Sequence, residues 1–245
     1  MGVSRVLLYG HRGAKGEAPE NTAAGFLYAR TLYLDGVQLD VRLSSDNELV
    51  VIHDETVDRT TTARGRVSSM TAAKLARLDA RAEFPDWPKV VGVPTLADAL
   101  DAASGIPRVA ISIQPDEPKR LTQVCQQLVE LLEHRWIVDR VTVMSTSGTV
   151  LQHIGGLAPF LPRALAGWFD READLDDARQ LRCRSILVPL ATCSTALVEE
   201  AHDRELEVIG WQGNSAEDVQ VFVAAGVDAL VTDFPTVAKR VLNRM

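Results

Sequence analysis

Lysine is scarce in this chain, with five residues against 21 arginines among 245 positions. None of Lys15, Lys74, Lys89, Lys119 and Lys239 lies inside an apolar, strand-like run. A Schiff-base lysine needs such a desolvated setting, so aldolase or pyridoxal chemistry is disfavoured. Cysteine is equally sparse. Cys125, Cys183 and Cys193 show no C-x-x-C spacing and cannot all pair, which points to buried thiols in a reducing compartment. Long hydrophobic runs are missing too. No segment approaches the roughly 20 apolar residues of a membrane helix. The opening run around Val6–Tyr9 is also shorter than the ~7–15 residues of a signal-peptide core. A cytoplasmic protein with no membrane span is the expectation. Positive charge is not in excess either: 33 acidic against 26 basic residues leave a formal charge of −7. That is the wrong sign for a phosphate backbone, so no nucleic-acid partner is expected. A small anion held by one or two local arginines remains compatible. Nothing in the sequence sets an oligomeric state.

What the chain does have is alternation. Short β-branched runs fall at Val6–Gly10, Val37–Leu43, Leu49–His53, Val109–Gln114, Val141–Ser145, Ala164–Gly167, Ile186–Pro189, Glu207–Trp211 and Ala229–Thr232. Between most of them lie stretches with apolar residues three and four apart, as in Leu121–Leu132. Strands alternating with helices predict a parallel sheet. At this length one α/β unit, a TIM (β/α)8 barrel, accommodates the whole of residues 1–245. Nine strands are one too many for it. The link Ser44-Ser45-Asp46-Asn47-Glu48 is a turn sequence, too short for a parallel crossover of a dozen residues. The second and third runs therefore form an antiparallel hairpin, which leaves eight parallel strands and sets Gln38–Asp40 beside His53–Asp54. Glu55–Gly92 breaks the alternation with polar, turn-rich sequence and reads as a small excursion over one end of the barrel, with one helix starting near Thr71.

Barrel enzymes carry their reactive groups at the C-terminal ends of the strands. That rule selects His11 and Arg12, then Gln38 and Asp40, His53 and Asp54, Ser112 and Gln114, Ser145, Trp211 with Asn214, and Asp233. His134, His153 and His202 lie in helical stretches instead. The loop Gly10-His11-Arg12-Gly13-Ala14-Lys15-Gly16 could bring backbone N–H groups and Arg12 to an anion, although such glycines more often mark a plain tight turn. Either histidine alone is more often a packing residue than a catalyst; two converging on one rim beside an arginine favour acid–base chemistry. Trp168 and Phe169 read as loop packing before they read as a substrate wall, and Asp233 reads as an N-cap as readily as a ligand.

His11-Arg12-Gly13, Pro19-Glu20-Asn21-Thr22, Asp40-Val41, His53-Asp54 and Arg59-Thr60-Thr61 together resemble the signature of the glycerophosphodiester phosphodiesterases. The resemblance continues through Pro94-Thr95-Leu96, Trp211 with Asn214, and Gly226-Val227-Asp228 to Thr232-Asp233. It implies a TIM barrel with a small insertion after the His-Asp motif, a divalent cation (Mg or Ca), and hydrolysis of a glycerophosphodiester to glycerol 3-phosphate and an alcohol. His11 and His53 would be the acid–base pair, Arg12, Trp211 and Gln114 would face the substrate, and Glu20, Asn21 and Asp54 would support them.

The metal set departs from that pattern. Gln38 and Ser112 stand where the family has glutamates, and Gln114 where it has a lysine, so Asp40 alone remains of three acidic ligands. Mg²⁺ and Ca²⁺ favour anionic oxygens, and a site of Asp40, with Gln38, Ser112 or Glu20 offering neutral or distant help, would hold a cation weakly or not at all. Three readings follow. The first is a working phosphodiesterase with an altered metal site, in which Asp54 or Glu20 orients a histidine. The second is a family member that binds a phosphorylated ligand without turnover. The third, ranked last, is a phospholipase D-like reaction giving a cyclic phosphate.

Overall fold

In the computed structural model, which describes residues 5–169 and 171–244, the chain closes a barrel of eight parallel strands with helices between them. In chain order the elements begin with β1 (Leu7–Gly10), α1 (Ala23–Thr31), β2 (Gly36–Leu43), β3 (Leu49–Val51), α2 (Ala72–Leu75) and α3 (Leu96–Ala102). There follow β4 (Arg108–Ile113), α4 (Pro118–His134), β5 (Val141–Ser145), α5 (Gly148–Leu157), β6 (Arg163–Ala166) and α6 (Glu172–Gln180). The last third holds β7 (Ser185–Pro189), α7 (Thr195–Asp203), β8 (Glu207–Trp211), α8 (Ala216–Ala225), β9 (Ala229–Thr232) and α9 (Pro235–Leu242). Every strand read from the sequence is present, with ends displaced by two residues at most.

The parallel strands run β1-β2-β4-β5-β6-β7-β8-β9 and return to β1. β3 pairs with β2 in the antiparallel sense, Val41 opposite Val51 and Leu43 opposite Leu49, so the hairpin expected from the five-residue turn is there. β1 is the reason β3 has room. β1 reaches only as far as the Gly10–Val37 pair, and β2 continues six residues further with that edge uncovered. β3 covers it, and the Ile52 N–H donates to the Asp40 carbonyl at 3.0 Å.

Because side chains alternate along a strand, inward positions recur every second residue. The barrel interior is filled by Tyr9, Ala110, Met144, Ala164, Ile209, Ala229 and Val231. Toward the C-terminal ends the inward rows are polar on one side: Gln38, level with Ala110, and Asp40 on β2, and Ser112 on β4. The opposite faces of the strands pack on the helices in the main core, where Leu39, Ile111, Leu128, Leu151 and Phe222 are fully buried. Segment 55–92 surrounds a small core of its own, in which Val50 and Ile52 pack on Val57, Val67, Met70, Leu75 and Val93. Among the described residues no helix is long and apolar enough to cross a membrane, and all three cysteines are free thiols.

Candidate active site

The loop after β1 is bent so sharply that a Cβ on Gly10 would lie 1.9 Å from the Gly13 carbonyl oxygen. Gly13 itself has φ +92°, a conformation open to glycine at little cost. Four of the loop's N–H groups are committed internally: His11 to Thr232 O, Lys15 to His11 O, Gly16 to Asp233 O, and Arg12 to the Gln38 Oε1. The plain tight turn is therefore the better description of its glycines, and the loop's work is to place His11 and Arg12.

His11 and His53 line one cavity of about 280 Å³ at the C-terminal mouth of the barrel, as do Arg12, Gln38, Asp40, Ser112, Gln114 and Trp211. Supporting residues Glu20, Asn21 and Asp54 stand behind that wall. His134, His153 and His202 lie on α4, α5 and α7, away from it.

His11 is buried, and its Nδ1 lies 2.5 Å from Asp233 Oδ1. Asp233 feels two opposed effects: burial favours its neutral form, while the His11 hydrogen bond and nearby Lys15 hold the carboxyl below its usual range. Being ionised, it accepts, so Nδ1 carries the proton and Nε2 carries a lone pair. Gln212 Nε2, 2.9 Å from Nδ1, then has its acceptor in the carboxylate rather than in the ring. Burial pushes the His11 pKa below 6.5, against the pull of Asp233, so the ring is neutral near pH 7. Asn214 completes the support, donating to Asp233 Oδ2 at 3.0 Å and accepting the Asp233 N–H. Trp211 meets the imidazole edge-on at 6.0 Å.

The role open to Asp54 or Glu20 as a histidine's partner thus divides differently. Asp54 Oδ1 lies 2.7 Å from His53 Nδ1. Glu20 touches neither ring: it accepts from Arg12 at 2.9 Å and from Arg59 at 2.8 Å through both its oxygens. Burial alone would raise its pKa, but the two guanidiniums hold it down at about 2. Asp233 is the carboxylate of His11, and it is not an N-cap, since Phe234 occupies that position of α9. Sequence reasoning placed Asp233 on the rim without giving it the histidine. Its partner is 222 positions away, and only closure of the barrel joins the last strand to the first.

Trp168 also differs from expectation. It lines the cavity with 64% of its surface exposed, so it is not packed away, whereas Phe169 is buried in the core.

The residues around Asp40 do not fit a divalent cation. Asp40 Oδ1 already accepts from Gln38 Nε2 at 2.9 Å and Gln114 Nε2 at 2.8 Å. Oδ2 accepts from Asn21 at 2.9 Å and lies 3.0 Å from Arg12 Nε. Gln38 was expected to lend its carbonyl to a metal, but that oxygen takes the Arg12 backbone N–H, and the NH₂ is turned to Asp40 and to Ser112 Oγ, 3.0 Å away. The orientation is fixed by its neighbours, because only the NH₂ can face a carboxylate. Ser112 is thereby an acceptor for Gln38, and Glu20 is spent on arginines. Among the described residues no group of three His, Cys, Asp or Glu could hold a metal ion.

A barrel of this plan belongs to the class that carries acid–base groups on the C-terminal rim of eight parallel strands. Within that class the chain is a member of the glycerophosphoryl diester phosphodiesterase family, which its residues 11–237 match. A glycerophosphodiester phosphodiesterase of Caldanaerobacter subterraneus subsp. tengcongensis is 30% identical over 94% of this chain and 95% of its own length. Another, from Bacillus altitudinis, is 29% identical over 97% of this chain and 98% of its own. The fold matches an Oleispira antarctica phosphodiesterase in complex with the product sn-glycerol-3-phosphate, with a TM-score of 0.90 at 24% identity, covering 97% of this chain and 96% of that one.

Proposed function

We propose that this protein hydrolyses a glycerophosphodiester to glycerol 3-phosphate and an alcohol, with His11 as general base and His53 as general acid. The observation that carries the reading is the pair of imidazoles on one cavity, each with Nδ1 held by its own carboxylate and Nε2 left for the ligand. The names of the relatives support the substrate class. Neutral, buried His11 takes the proton of the attacking water as its oxygen bonds to phosphorus. His53, with 38% of its side chain exposed, gives a proton to the alcohol oxygen as the old P–O bond breaks. Arg12 faces the phosphate from the cavity wall. Its Nη1 and Nε are turned to Glu20 and Asp40, and Nη2 makes no hydrogen bond within the described protein.

β6 and β7 bring the apolar Ala166, Leu187 and Pro189 to the cavity, with Trp168 in the loop after β6. That stretch suits the carbon framework of the substrate, and the charged phosphate belongs on the Arg12 side. A panel of glycerophosphodiesters with different alcohols, assayed for released glycerol 3-phosphate, tests the reading. Turnover of at least one member is expected, with His11→Gln and His53→Gln each slower by about 10²–10⁴-fold. No turnover of any member would leave the second reading, a barrel that holds such a ligand intact, which the missing glutamates already favour over a cyclising reaction.

A further inference from the structure

We propose that the polar floor of this cavity is an anion site that works without a divalent cation, the amides of Gln38 and Gln114 and the Arg12 guanidinium having taken over Asp40. The inference rests on the phosphate-ligand reading above and deepens it. Three observations carry it.

The first is occupancy. Asp40, the only carboxylate among the described residues that line the cavity, accepts from Gln38 and Gln114 on Oδ1 and from Asn21 on Oδ2, and the Arg12 guanidinium lies 3.0 Å from Oδ2. A cation ligated by Asp40 would have to displace at least one of these neighbours, and among the described residues no group of three His, Cys, Asp or Glu could hold it instead. The second is charge. Asp40 lies against the Arg12 guanidinium, which Glu20 also holds in an ion-pair chain with Arg59. A divalent ion on Asp40 would bring a double positive charge close to that guanidinium, in a place shielded from water, where like charges repel strongly. A phosphate anion would be drawn to the same guanidinium.

The third is the sense of the hydrogen bonds left over. Ser112 accepts from Gln38 with its lone pair, so its own proton remains to be given. Gln114 uses one amide proton on Asp40 and keeps a second. Arg12 Nη2 has no partner among the described residues, and its buried Nε lies beside Asp40 without a hydrogen bond of proper geometry. All of these residues line the cavity and offer donors, and the lone pairs left on Gln114 Oε1 and Ser112 Oγ belong to neutral groups. Donors bind oxyanions, whereas a hard cation favours anionic oxygens.

The test uses the full-length protein with sn-glycerol 3-phosphate and Mn²⁺ as probes. The rise in Tm produced by glycerol 3-phosphate should be the same in excess EDTA and in Mg²⁺, Ca²⁺ or Mn²⁺, because only ligand binding to the folded state stabilises it. Electron paramagnetic resonance should show Mn²⁺ remaining free in the wild type and becoming bound in the Gln38→Glu/Ser112→Glu variant, whose ligand stabilisation should then depend on the cation. The inference is overturned if EDTA removes the wild-type shift, if glycerol 3-phosphate gives no shift under any condition, or if the wild type binds one Mn²⁺ that Asp40→Asn releases. The wild-type arms decide the matter even if the double variant does not fold. Failure of hydrolysis is a separate result: EDTA-indifferent binding without turnover sinks the hydrolase reading and keeps this one, whereas metal-dependent turnover does the reverse.

Discussion

Asp233 holds the proton of His11 on Nδ1, so its charge acts on the reaction through the ring and not through ligand contact. Asp233→Asn should lower kcat, by up to about 10⁴-fold if the wrong tautomer results, with KM little changed. Asp233 also pulls the His11 pKa upward against burial, so its loss should move the acid limb of the kcat/KM profile to still lower pH. An unmoved limb would make Asp233 a packing residue. The two histidines were legible in the sequence because the rim rule needs only strand ends. Asp233's role was not, and neither was the direction of the Gln38 amide. A sequence states that Gln38 has a carbonyl; only the Arg12 N–H beside it shows that the carbonyl is already taken.

Secondary structure was easier to read than register. The hairpin followed from a five-residue turn, and Leu43 opposite Leu49 is its consequence. What sequence reasoning did not supply is that β3 lies between two cores: Val51 belongs to the main one, while Val50 and Ile52 belong to the small one over the barrel mouth. Alternation along a strand requires this division, and it makes Ile52 the residue that sets the height of His53. Ile52→Ala, at a site 2% exposed, should cost about 2–5 kcal/mol in denaturant unfolding through the cavity it leaves. Activity should fall even where the variant is fully folded, because the next residue is His53. Full activity in the folded variant would show that the small core does not position the ring.

At the scale of the molecule, burial of His11 links stability to pH. The unfolded imidazole binds a proton near pH 6.5, and the folded one binds it only at lower pH. Between those values the unfolded state holds more protons, so stability falls as pH falls through the window. Asp233 has its pKa depressed from 3.8, and its contribution is lost later, at more acid pH. The wild-type Tm should therefore begin to decline just below pH 6.5, and His11→Gln should flatten that first slope while leaving the steeper acid loss. A wild-type Tm that stays level from pH 6.5 down to about 5 would contradict the buried, neutral ring. The closure that brings Asp233 to His11 was foreseen in outline, from the count of eight parallel strands. Its thin seam was not: β1 and β2 share only the pairs Tyr9–Gly36 and Gly10–Val37. A Cβ on Gly36 would lie 2.2 Å from the Tyr9 ring, so that seam tolerates no side chain there.

Arg59 lies outside the cavity, yet it grips Asp54 with Nε and Nη2 and Glu20 with both terminal nitrogens. Asp54 anchors His53, and Glu20 anchors Arg12, the residue next to His11. One planar cation thus works like the pivot of a pair of calipers, fixing from behind how far apart the two imidazoles stand. The span of bond that can be held between them is therefore gauged by a side chain outside the cavity wall.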